Sequence, residues 1–147
     1  MVTFDDEQLG NVFVYGSLKR GEFLYFLEPL MDMRVEVLPA KVEAVVLYDL
    51  GEFPGVVIRA DGKMVWGEVH RFRSMETVLE ILDEVEQYYG ERDPENLYRR
   101  VDYKAELLDG GGHVSCWLYE YVGPLDEACL IKSGVWLGAE VQHNKRD

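Results

Sequence analysis

The chain reads as several runs of period two and one run of period 3.6. Val12 to Tyr15 is a short β-forming run ended by Gly16, and Leu24 to Met33 is apolar enough to dock as a short helix or an irregular turn. Lys41 to Leu50 and Gly55 to Arg59 are Val-rich strands broken at Gly51 to Pro54. Asp61–Gly62 is a turn dipeptide between Gly55–Arg59 and Met64–Phe72, so these two runs are expected to form a hairpin. Tyr98 to Leu108 alternates, with Val101, Tyr103, Ala105 and Leu107 on one face and Arg100, Asp102, Lys104 and Glu106 on the other. Asp109 to Gly112 then turns the chain into His113 to Tyr121, where Ser115, Trp117, Tyr119 and Tyr121 share a side, and a second hairpin results.

One segment is helical, Ser74 to about Tyr89, with Ser74 as N-cap and Glu76 in the first turn, where the helix dipole favours an acid. Many locally paired strands and one good helix predict an α+β fold: a small, curved, mostly antiparallel sheet or β-barrel flanked by helices. Turned at about 100° per residue, Val85, Val78, Tyr89, Leu82, Met75 and Leu79 fall within an arc of about 120° that faces the core. Glu80, Asp83, Glu84 and Gln87 lie outside that arc, as solvated residues do. Glu86 lands inside it, between Met75 and Leu79. Burying an unpaired charge costs several kcal/mol, so Glu86 is either half of an ion pair with Arg99 or Arg100, or a carboxyl group lining a cavity where its chemistry is used. Partial burial raises a carboxyl pKa toward the range in which it both accepts and donates protons. Periodicity leaves both readings open.

Composition narrows the classes. A chain of 147 residues, 48% hydrophobic and 29% charged, has the size and balance of one globular domain, and no repeat or linker divides it, so a single domain spanning 1–147 with its core at about 11–136 is expected. Its net charge of -13 repels phosphate backbones and anionic lipid, which argues against nucleic acid and membrane as partners. Met1 to Glu7 carries three acids and no apolar stretch, so no signal peptide is read there and a cytoplasmic location is expected. Cys116 and Cys129 are then reduced packing residues.

Two segments carry a resemblance. Val12-Phe-Val-Tyr-Gly-Ser-Leu-Lys-Arg-Gly21 resembles the strand and YGSL-type loop that open γ-glutamylcyclotransferase-like proteins, including the γ-glutamylamine cyclotransferase and AIG2-like branches. Leu82-Asp-Glu-Val-Glu86, followed by Leu97-Tyr-Arg-Arg-Val101, is similar to the family segment with its catalytic Glu and downstream Tyr-Arg. Smaller echoes are Leu47-Tyr-Asp-Leu-Gly51 with Pro54-Gly55, Val65-Trp-Gly-Glu-Val69 and Ile131-Lys-Ser-Gly-Val-Trp136. The likeness runs from Val12 to Trp136. Two positions depart from the family pattern: Gln87 stands where a Gly often follows the Glu, so the helix is expected to run on toward Gly90, and Val135 stands where an acid often precedes the last Trp.

The resemblance implies a small barrel in which the loop and the Glu meet in one cavity. It also implies cyclisation of a small γ-glutamyl substrate to 5-oxoproline plus a free amine, without a cofactor. On that reading Glu86 is the catalytic acid/base, and Tyr15, Gly16, Ser17, Leu18 and Tyr98 bind substrate. Gly16 lets backbone approach the ligand, and successive N–H groups from Tyr15 to Leu18 form a donor site for the α-carboxylate; without the likeness Gly16 is a strand-ending turn. Tyr119 and Tyr121 are candidates for the cavity wall or the core, and Arg99 either holds Glu86 ionised or caps its strand. The alternative to an enzyme is a catalytically idle small-molecule binding protein on the same fold.

Other chemistry is poorly supported. Ser17 lacks a base, since His70, His113 and His143 fit no motif that would bring one beside it. Cys116 and His113 are three apart on a strand and face opposite sides. The histidines lack ligand spacing and there is no CxxC, so no metal is expected.

Overall fold

The computed structural model describes residues 9–16, 18–125 and 128–138. Its elements in chain order are β1 (Gly10–Val14), a 3-10 turn (Phe23–Phe26), α1 (Glu28–Met33), β2 (Arg34–Asp49), β3 (Pro54–Ile58), β4 (Lys63–Phe72), α2 (Met75–Val85), β5 (Tyr98–Leu107), β6 (His113–Tyr121) and β7 (Cys129–Leu130).

The strands close into a mixed five-stranded barrel. β1 pairs with β4, β4 with β2, β2 with β5 and β5 with β6, all antiparallel, and one parallel pairing, Val12 opposite Trp117, brings β6 back to β1. The β5–β6 hairpin has the expected register, Tyr98 opposite Tyr121 and Glu106 opposite His113. The hairpin expected between β3 and β4 does not form. β2 is 16 residues long; β4 occupies its length from Arg34 to Val45, and β3 pairs with Val45 to Asp49. Both neighbours thus lie along β2, and a bulge between Glu43 and Val45, with Ala44 at φ 60, separates their registers. β3 completes its other edge by a parallel contact, Val56 opposite Glu120.

Strand alternation sorts side chains into two cores. Phe13, Tyr15, Ala40, Val42, Val65, Val69, Ala105, Cys116, Leu118 and Trp136 form one cluster inside the ring. Val12, Val14, Phe72, Tyr98, Tyr119 and Tyr121, from the opposite strand faces, pack against Val78 and Leu82 of α2 and Leu30 of α1. Burying a Leu side chain fully stabilises by about 1.5–3 kcal/mol, so Val78 and Leu82, both at most 1% exposed, fasten α2 to the barrel.

The helix is shorter than its sequence suggests. Ser74 precedes α2 with left-handed φ 55 and makes no side-chain cap; its carbonyl accepts the Val78 N–H instead. α2 ends at Val85 rather than near Tyr89, and Tyr89 is 56% exposed instead of facing the core. The stop at Val85 produces the site.

Candidate active site

Glu86 is the C-cap of α2, and the chain leaves the helix through a Schellman turn. Glu86 N–H donates to the Leu82 carbonyl at 2.8 Å, Gln87 N–H to Glu84 at 3.2 Å and Tyr88 N–H to Asp83 at 2.8 Å. Gln87 takes the left-handed position of the motif with φ 55, and its carbonyl accepts Leu97 N–H at 3.0 Å. Gly is the usual residue there because it has no Cβ to clash, and Gln adopts the same conformation because both of its backbone polar groups are held. The expected run-on toward Gly90 is therefore corrected: replacing the Gly leaves the turn in place.

The half-buried Glu86 carboxyl lines a cavity of about 120 Å³ together with Tyr15, Gly16, Leu18 and Tyr98, with Pro54, Phe53, Gln87 and Tyr119 completing part of its wall. Four of the five expected binding residues thus share a cavity with Glu86. Ser17 lies outside the described residues, as do His143 and Met1 to Glu7. Tyr121 does not line the cavity; its hydroxyl donates to the Pro124 carbonyl at 2.9 Å.

Neither arginine pairs with Glu86. Arg99 donates to Glu120 at 2.8 Å, and Glu120 also accepts Ile58 N–H at 2.8 Å. Arg100 pairs with Asp83, whose other oxygen accepts the Tyr119 hydroxyl at 2.7 Å, so Asp83 is engaged rather than solvated. With no cation paired to it among the described residues, Glu86 feels chiefly the loss of water, and burial pushes its carboxyl from 4.5 up to about 7. Burial, reinforced by the nearby Glu86 charge, also keeps the Tyr15 and Tyr98 hydroxyls protonated.

The loop is held from several sides. The Tyr15 hydroxyl donates to the Tyr119 carbonyl at 2.7 Å and accepts Val56 N–H at 3.2 Å, so it bridges β6 and β3. The Tyr98 hydroxyl donates to the Pro54 carbonyl at 2.6 Å. Gly16 accepts Lys19 N–H at 3.0 Å, and Lys19 Nζ reaches the Trp136 carbonyl at 2.6 Å. Arg20 N–H donates to Glu68 at 2.7 Å. Behind Glu68 the fully buried His70 donates from Nε2 at 2.8 Å and accepts Arg34 Nε at Nδ1, 3.1 Å away. Burial keeps His70 neutral, whereas for Glu68 the His70 and Arg20 hydrogen bonds outweigh burial and hold the carboxyl below its ordinary value. His70 thus serves the loop's scaffold. The buried Cys116 thiol is pushed up to about 12, and the exposed His113 faces away from it. Among the described residues no group of His, Cys, Asp and Glu has the arrangement of a metal site.

Pro54, Phe53 and Asp83 were not singled out from sequence; Pro54 had a signal in the Pro54–Gly55 echo, whereas Asp83 read as a surface acid. Among the described residues no Lys or Arg lines the cavity, whose polar side chains are Glu86, Gln87 and the tyrosines Tyr15, Tyr98 and Tyr119.

A closed five-stranded mixed barrel is the fold shared with solved AIG2-like proteins. The structure matches the crystal structure of an AIG2-like protein from Mus musculus with a TM-score of 0.64 over 82% of each chain at 22% identity. Residues 12–138 match the family model for gamma-glutamyl cyclotransferase, AIG2-like, and the chain belongs to that family as a γ-glutamylcyclotransferase-like enzyme. A gamma-L-glutamyl-butirosin B gamma-glutamyl cyclotransferase of Niallia circulans is 32% identical over 90% of this chain and 79% of its own length. The gamma-glutamylcyclotransferase family protein YtfP of Escherichia coli is 30% identical over 86% of this chain and 96% of its own. Its solution structure superposes with a TM-score of 0.61. No helix among the described residues is long and apolar enough to cross a membrane.

Proposed function

We propose that the enzyme converts a small γ-glutamyl amine or peptide to 5-oxoproline and the free amine, with Glu86 as the general acid/base. The observation that carries this reading is a carboxyl group in a small cavity, paired with neither Arg99 nor Arg100, whose pKa burial brings to about 7. The relative named for γ-L-glutamyl-butirosin B supports a γ-glutamyl compound as the substrate.

In the reaction the substrate's α-nitrogen attacks its own γ-carbonyl. The new carbon–nitrogen bond closes a five-membered lactam, the bond to the leaving amine breaks, and two protons pass from the α-nitrogen to the leaving nitrogen. No water is consumed. Glu86 takes a proton from the α-ammonium, frees its lone pair and returns the proton to the leaving nitrogen, which departs poorly unless protonated. A pKa near 7 suits a group that performs both transfers. Because both reacting atoms belong to one molecule, the cavity's other task is to fold the substrate into an attacking shape, which lowers the barrier by several kcal/mol. Backbone N–H groups of the loop after β1 bind the α-carboxylate, and the Tyr98 hydroxyl, already donating to Pro54, offers its oxygen to the α-nitrogen. A cavity of about 120 Å³ takes the γ-glutamyl head, while drug-sized ligands occupy about 300–1,000 Å³, so the leaving amine projects past Phe53 and Gln87.

The test is incubation with a panel of γ-glutamyl amines and dipeptides, scored by 5-oxoproline and amine release in equal amounts. Silence across a broad panel overturns the reading in favour of an idle binding protein.

A further inference from the structure

We propose that Asp83 is a positioning residue for Glu86, clamping the end of α2 to the cavity wall; this rests on the acid/base reading of Glu86. Asp83 acts through three of its atoms. Its main-chain carbonyl accepts Tyr88 N–H at 2.8 Å, the bond that closes the turn carrying Glu86 out of the helix. Its Oδ1 accepts the Tyr119 hydroxyl at 2.7 Å, and its Oδ2 pairs with Arg100. Tyr119 lines the cavity, and its own carbonyl accepts the Tyr15 hydroxyl at 2.7 Å. One chain of contacts therefore runs from the Glu86 turn through Asp83 and Tyr119 to the residue that opens the substrate loop.

Arg100 braces the other side. Its guanidinium lies 5.5 Å from the Tyr88 ring centroid and 5.0 Å from that of Trp117, so it holds the residue after Gln87 against β6 while neutralising Asp83. An ion pair with only a fastening role works anywhere along a helix. This one engages the last helical turn, three residues before Glu86, and reaches a residue of the cavity wall. Near-attack chemistry is sensitive to this placement, because a displacement of about 1 Å costs up to about 10²-fold in rate.

Among the described residues the groups sharing the cavity with Glu86 are the hydroxyl-bearing rings of Tyr15 just after β1, Tyr98 on β5 and Tyr119 on β6, with Asp83 and Arg100 behind Tyr119. Losing the clamp exposes the Glu86 carboxyl to water and frees Arg100, and both effects lower its pKa. The experiment measures kcat, KM and the pH profile of 5-oxoproline release, with a thermal melt, for Asp83→Ala, Asp83→Asn, Tyr119→Phe and Glu86→Gln. Asp83→Ala is expected to lose about 10–10²-fold in kcat with a smaller change in KM, and its acidic limb should move to lower pH. Asp83→Asn keeps an oxygen for the Tyr119 hydroxyl and should recover most of kcat. Tyr119→Phe breaks the same link from the far end; it should reproduce part of the loss and add little to Asp83→Ala in the double variant. Wild-type kcat and an unmoved limb in Tyr119→Phe overturn the proposal, as does an Asp83→Ala enzyme that melts earlier yet turns over normally. An active Glu86→Gln enzyme overturns the acid/base reading itself, and is a separate result from failure of the clamp.

Discussion

Gly16 and Pro54 are packed so closely that a Cβ on Gly16 would stand 2.8 Å from Pro54 Cγ and 2.9 Å from Cδ. Gly16 needs no positive φ; what it needs is the absence of a side chain. The same Pro54 offers its carbonyl to the Tyr98 hydroxyl, so the contact links the substrate loop, the start of β3 and a tyrosine of the cavity.

Gly16→Val should therefore act on binding. Overpacking of this kind costs about 1–3 kcal/mol, and if it appears as lost substrate affinity KM rises roughly 5–150-fold. The ring of Pro54 yields before the barrel strands do, so melting should move by only a few degrees. Steady-state kinetics and a thermal melt on the same preparation check this; an unchanged KM would mean the loop is a turn and nothing more.

Gln87→Gly should stabilise the chain. A non-glycine residue at φ 55 is strained by about 1–2 kcal/mol, partly offset by the greater freedom of Gly in the unfolded chain, which leaves a gain of about 0.5–1 kcal/mol. Gln87→Val should move the other way, since a β-branched residue tolerates that conformation worst. Denaturant unfolding of the pair checks both signs, and a Val variant as stable as the Gly variant would show that the turn does not hold Gln87 where the structure has it.

These positions also show what sequence could and could not convey. The alternation of Tyr98 to Leu108 and the glycine turn after it sufficed for the β5–β6 hairpin, because side-chain period and turn chemistry are local. The Asp61–Gly62 turn misled, since pairing of β3 and β4 was decided by the length of β2, which takes both as neighbours. Glu86 was found by helical phase, yet it faces the cavity because the helix stops at Val85 and the chain turns. That stop had no signal: Gln87 is not a residue that announces a left-handed turn, and the carbonyls that hold it belong to the helix itself. Asp83 read as a surface acid because a helical wheel places residues but not partners, and its partners, Tyr119 and Arg100, are 36 and 17 positions away.

Cys116 should resist alkylation in the native protein. Its thiol is buried inside the barrel and pushed up to about 12, so almost no thiolate is present near neutrality, whereas Cys129 is half-buried. Peptide mapping after iodoacetamide treatment at pH 7.5 (about one unit below a free thiol's pKa) should find label on Cys129 only, and on both cysteines after denaturation. Equal native labelling would contradict the closed barrel.

The last prediction concerns Glu86 and separates catalysis from structure through pH. Its folded pKa, about 7, stands above its ordinary value of 4.5, so the folded chain holds the proton more tightly than the unfolded one. Stability from this group is therefore greatest below about pH 4.5 and is lost as pH rises to about 7, by about 1–3 kcal/mol for a half-buried group. Glu86→Gln has no proton to lose. It should match the wild type in unfolding free energy near pH 4.5 and exceed it at pH 8. Activity should run against stability: kcat/KM of the wild type should rise with pH along a limb centred near 7, as the carboxylate forms, and Glu86→Gln should lose about 10²–10⁴ in rate above that limb, with the limb itself absent. An ion-pair role predicts the reverse pattern, with the Gln variant less stable at pH 8 by a few kcal/mol and still able to turn over. Unfolding curves at the two pH values and 5-oxoproline release across the range decide between them, and a stable, fully active Glu86→Gln enzyme would remove Glu86 from the mechanism.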